Sequence, residues 1–105
     1  MARFDVYRNP SAGAADTPYL LDVQADLLAE LETRVVIPLR RRDRFSAVRL
    51  PSDLIPCVDV EGQSCQIETP KLAAIPLRVL KPPICSLADR RDDTIRALDF
   101  VFQGY

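Results

Sequence analysis

Five arginines, Arg40, Arg41, Arg42, Arg44 and Arg49, fall within the ten residues RRRDRFSAVR. Guanidinium groups at that density can grip phosphates or carboxylates through paired N–H donors. Arginine with a carboxylate is also all that small barrel ribonucleases need, so this one enzyme class stays open. Other chemistry is hard to assemble. The acids Asp22 and Asp26 have no nucleophile in view, and Ser46, Ser52 and Ser64 have no base. The sequence contains no histidine, which removes His-based triads, His-ligated zinc and histidine general bases. Gly13, Gly62 and Gly104 are the only glycines, so there is no glycine-rich phosphate loop. Cys57, Cys65 and Cys85 make an odd set without metal-ligand spacing. They read as small apolar fillers, not as a disulfide scaffold or nucleophiles. No cofactor is implied. The residues describe a chain that binds something.

Bulk charge narrows the partners. Lysine and arginine number 14 against 15 aspartates and glutamates, for a net charge of −1. Direct nucleic-acid binding needs a continuous basic surface, and this balance argues against one. The opening MARFDVYRNP lacks the apolar run of a signal peptide, and no stretch is long enough to span a membrane. A cytoplasmic location is the simplest reading.

The elements that must position these residues are short. At 105 residues the chain is expected to form one domain, 1–105. Residues 3–7 alternate apolar and polar and predict a strand. The small-residue stretch NPSAGAADTP predicts a loop. Residues 19–24 predict a second strand, and ADLLAELETR a short helix on propensity alone. VVIPL is β-branched with Pro38 inside it, which predicts an edge or a bulge. Residues 55–60 and 65–69 flank EGQS as a hairpin. IPLRVL, residues 75–80, predicts another strand. Ser86 then caps a C-terminal helix over about 87–103, with Asp89 in capping-box position. Ile95, Leu98 and Phe102 line its apolar face, and Gly104 stops it. Six short strands and one helix predict a mainly β chain, a small twisted antiparallel sheet or half-open barrel. Prolines in several strands leave edges unpaired, as suits a homodimer or an added peptide strand.

LLDVQADLL, continuing through LETRVVIPL, resembles the CcdB family of toxin–antitoxin toxins, the gyrase poisons. The opening FDVYRN, the strand PCVDV, AAIPLRVL and the closing SL…DTIRALDF…G extend the similarity over essentially the whole chain. The resemblance implies a small SH3-like β-barrel with a C-terminal helix, forming a homodimer. It also implies strand and loop, not helix, over residues 25–32. That fold is shared with ribonuclease toxins of the MazF kind. What the family does would make this chain a non-catalytic wedge. It would bind the DNA gyrase A subunit, trap the cleaved DNA complex, and be neutralised by a cognate CcdA-like antitoxin. Operator DNA would be reached only through that antitoxin, in regulating transcription. The family's Trp-Gly-Ile tip falls on Gln103, Gly104 and Tyr105, with Asp99 at the adjacent helix position and Leu27-Leu28 for an Ile-Ile pair. These six residues are the implied gyrase contacts. Gln103 is the departure, because it lacks the flat surface of a tryptophan. A diverged member that keeps its antitoxin but has lost or changed its gyrase target is the alternative, with a MazF-like ribonuclease behind it. Arg40, Arg41, Arg42 and Arg44 are the candidate contacts for an acidic antitoxin segment.

Overall fold

The structure is a computed structural model that describes residues 2–28, 30–44 and 51–104. Ser46, Arg49 and Tyr105 lie outside the described residues. Seven strands and one α-helix are described. They are β1 (Asp5–Arg8), β2 (Tyr19–Asp22), β3 (Thr33–Arg41), β4 (Cys57–Val60), β5 (Gln63–Ile67), β6 (Ala73–Pro76), β7 (Cys85–Ser86) and α1 (Arg91–Gln103). All pairings are antiparallel, in the order β4-β5-β3-β2-β1-β7, with β6 also on β3. The result is a mainly β half-barrel with a C-terminal helix, as the residue pattern predicts. Among the described residues no helix is long and apolar enough to cross a membrane.

β3 organises the sheet. One of its edges takes β2, while the other takes β6 along Thr33–Val36 and then β5 along Leu39–Arg41. Pro38 sits between those two partners, and its carbonyl accepts the Glu68 N–H at 3.0 Å. The missing proline N–H therefore faces the gap where one ladder ends and the next begins. VVIPL is the central strand, not an edge, and the proline is tolerated because its partner changes there. Pro76 does follow the edge rule. Leu77 N–H reaches Glu32 O at 2.7 Å, so Ile75 and Ala73 point their backbone groups at β3. Ala74 and Pro76 then face outward, and only Ala74 offers an N–H to that free edge.

Alternation along the strands buries two faces. Val6, Tyr19, Leu21, Ile37, Leu39, Val58, Val60, Cys65 and Ile67 join Phe4, Val23 and Leu87 in the main core. On the opposite face Tyr7, Asp22, Arg34 and Val36 are also buried. Cys65 is the apolar filler expected, its thiol pushed up to about 11 by burial. Cys57 and Cys85 are instead exposed.

The β4–β5 hairpin turns on Glu61 and Gly62, both at positive φ (53° and 76°), as a two-residue hairpin of the type I′ kind requires. Glu61 has a second use. Its carboxylate accepts from Arg8 Nη2 at 2.7 Å and from the Tyr19 hydroxyl at 2.8 Å, tying the hairpin tip to β1 and β2. This latch curls the sheet.

The last segment ends at Gln103 before Gly104, as expected, but starts later and buries a different face. Ser86 Oγ accepts the Ala88 N–H at 3.1 Å but caps no helix: Leu87 is the N-cap of a short 3-10 segment, Ala88–Arg90, and the α-helix begins only at Arg91, with Arg90 as its N-cap. Thr94 and Ala97 are its buried residues, with Ile95 and Leu98 packed beside the core. Phe102 is 71% exposed and is not part of that face. IPLRVL divides likewise into β6 and a 3-10 turn, Leu77–Val79.

Candidate functional site

Two surface features carry the residues of interest. The first is the end of α1. Gly104 closes the helix in the left-handed region at φ 81°, donating its N–H to Phe100 O at 2.9 Å. A side chain there would be strained, so glycine is the residue that stops the helix. Asp99 and Gln103, one helical turn apart, are both exposed, as is Gly104. Phe102 lies in the same last turn. The helix tip thus carries an acid, an amide and an exposed aromatic ring, a combination in which the apolar periodicity alone misplaced the phenylalanine.

The second feature follows β2. Residues 25–32 do not form the helix that propensity favours. Asp26–Leu28 makes a single 3-10 turn, and β3 starts at Thr33. Leu27 is 97% exposed and Leu28 49%. Leu31, also half exposed, continues the apolar surface and was not singled out by any motif. Buried polar residues beneath are linked in a chain. Gln24, buried, donates from Nε2 to Leu28 O at 2.9 Å and accepts the Val35 N–H at 3.0 Å. Asp22 Oδ1 accepts the Gln24 N–H at 3.0 Å, and Asp22 Oδ2 takes Arg34 Nε at 2.8 Å. Arg34 Nη2 is 2.7 Å from the same oxygen but makes no hydrogen bond of good geometry, so the pair rests on the Nε contact. Burial pushes the Asp22 carboxyl up, against the pull of Arg34 and the Gln24 N–H.

The helix packs beside the Thr69–Lys71 turn and the Ala88–Arg90 segment; the Leu27-Leu28 turn is not among its principal neighbours. Within one chain the tip and the leucines are therefore two separate surfaces. The N-terminal turn meets the start of the helix at Arg91, not its tip. Phe4 adopts φ 74°, unusual for a bulky residue, with its ring in the core and the guanidinium groups of Arg3 and Arg91 at 4.9 and 5.9 Å.

The arginine run is not one basic patch. Arg40 is half-buried in β3, opposite Gln66, and its Nε is buried without a partner among the described residues. Arg41 forks onto Asp43 through Nε and Nη2 at 3.1 and 2.9 Å. Arg44 lies 3.8 Å from Asp16. Arg42 is exposed and borders two shallow polar grooves that share Ser64, one shared with Arg41 and the other reaching Arg90. Strand alternation, invisible in a count of arginines, separates Arg40 from Arg41.

No curated protein matches the chain in a sequence search. Residues 3–104 match the family model described as CcdB protein, from the first strand through the glycine that ends the helix. With the half-barrel, the terminal helix and a family match that covers nearly every residue, the chain belongs to the CcdB family.

Proposed function

We propose that this protein is the toxin of a toxin–antitoxin module, acting without catalysis by binding the DNA gyrase A subunit and trapping its cleaved DNA complex. Family membership supports a toxin role, and the exposed helix tip is the observation that carries the finer reading. Asp99, Gln103 and Gly104 stand clear of the core, and the tip continues into Tyr105. Leu27 and Leu28 supply the apolar part of the contact. Burying a side chain as exposed as Leu27 contributes about 1.5–3 kcal/mol to an interface.

The chain acts as a homodimer in this reading, which brings two helix tips to one target. An antitoxin holds it inactive through an acidic segment along the grooves beside Arg42, with Arg41 and Arg44 shared between that segment and their aspartates. Arg40 contributes least, because its side chain is half-buried.

Deleting residues 103–105 tests the proposal. Growth arrest on expression should disappear, while sedimentation equilibrium still gives a dimer and antitoxin affinity is kept. Growth arrest by the truncated chain would overturn the reading. The second reading, a diverged member with another target, is favoured by Gln103 alone. Arrest by the full chain in a strain with toxin-resistant gyrase would select it.

A further inference from the structure

A leucine with 97% of its surface in water is unfavourable unless something holds it there, and the turn carrying Leu27 is held from both sides. From below, the buried Gln24 amide bridges Val35 N–H and Leu28 O. Gln24 is itself fixed by Asp22, and Asp22 by Arg34. From the side, Asp26 Oδ1 accepts the Arg3 N–H at 2.8 Å, and Arg3 Nε reaches Val23 O at 3.1 Å. The turn closes on itself through Leu28 N–H to Ala25 O at 2.9 Å and Leu31 N–H to Leu28 O at 3.1 Å. Every tether ends on backbone or on a buried side chain, and none of them covers the leucines.

We propose that Gln24 and Asp26 are positioning residues: they preform the turn so that Leu27 and Leu28 meet an apolar slot on the gyrase A subunit without rearrangement. The inference rests on the gyrase-binding reading above. Its physical basis is that a group already ordered in its bound conformation loses less freedom on binding. Asp26 acts here as a hydrogen-bond acceptor for a backbone N–H. Its charge is not what the turn uses.

That distinction sets the experiment. Binding of the purified gyrase A subunit is titrated for the wild-type chain, Leu27→Ala, Asp26→Ala and Asp26→Asn. Amide hydrogen exchange at Leu28 and Leu31 is followed in each free protein. Asp26→Ala should weaken binding about five- to tenfold and speed exchange in the turn, with thermal stability nearly unchanged. Asp26→Asn keeps an acceptor oxygen and should restore both to within about twofold of wild type. If Asn fails as badly as Ala, the carboxylate touches the target directly and the positioning role is wrong. If Leu27→Ala weakens binding but Asp26→Ala changes neither binding nor exchange, the positioning role is wrong while the gyrase reading stands. If the wild-type chain does not bind the gyrase A subunit, the gyrase reading fails and this inference with it. Gln24→Ala is not used as the primary variant, because it leaves Val35 N–H and Leu28 O unpaired in the interior.

Discussion

At the scale of single residues the chain separates stability from recognition. Asp22 and Arg34 are both buried, at 0% and 1% side-chain exposure, and among the described residues each is the other's only counter-charge in contact. Removing one partner of such a pair strands a charge in the interior, and that is more damaging than losing the attraction itself. Asp22→Ala should therefore lower unfolding free energy by about 3–5 kcal/mol, measured by urea denaturation. A loss under 1 kcal/mol would mean that Arg34 escapes to water. Gln103 is the opposite case, exposed and free of the core. Gln103→Trp should leave the denaturation midpoint unchanged and tighten gyrase A binding by about tenfold, or 1.4 kcal/mol, by adding a ring face for a cation of the target. No gain in affinity would argue that position 103 does not face the target.

At the scale of elements, the strands were legible from alternation, the hairpin from EGQS and the helix stop from Gly104. The errors have physical causes. ADLLAELETR has good helix propensity, yet β3 claims its end and Gln24 pins its middle, so tertiary hydrogen bonds override a local preference. Pro38 looked like an edge marker because a sequence cannot show that a strand changes partner halfway along. Phe102 fits the helical period but is 71% exposed, because a period read from sequence does not show which turns of a helix the sheet covers. The six residues implied by resemblance at the target site include five in described positions, all exposed, and pattern alone would have found only the helix end. Glu61 gave no signal at all beyond its turn. Its latch makes stability depend on pH at both extremes. The hydrogen bonds from Tyr19 and Arg8 hold the Glu61 carboxyl below its ordinary range. That contribution is complete above the ordinary carboxylate range and disappears as pH falls through the lower folded value. Burial, with the Glu61 hydrogen bond, pushes the Tyr19 phenol up to about 12, and burial does the same for Tyr7. Since the unfolded phenols ionise near 10, stability should fall as pH rises from about 10 to 12. Thermal melts across the pH range should show both shoulders, and Glu61→Gln should flatten the acid one. An acid shoulder that persists in Glu61→Gln would place its origin in other carboxylates.

At the scale of the whole molecule, the strand order joins the two ends of the chain. β1 lies between β2 and β7, so among the described residues its outer edge is covered only by Cys85–Ser86 and the flanking contacts Ile84 N–H to Val6 O and Leu87 N–H to Phe4 O, each 2.8 Å. A ribosome delivers β1 long before β7. Throughout most of its synthesis the nascent chain carries an N-terminal strand with one side open, and α1, which follows β7 directly, cannot seat until that side is closed. Chains arrested with residue 84 still inside the exit tunnel should be cut rapidly by added protease, whereas released chains should resist; equal resistance would show that β1 needs no cover. The helix and its exposed tip thus follow the strand that closes the sheet, and a chain that breaks off before β7 carries neither.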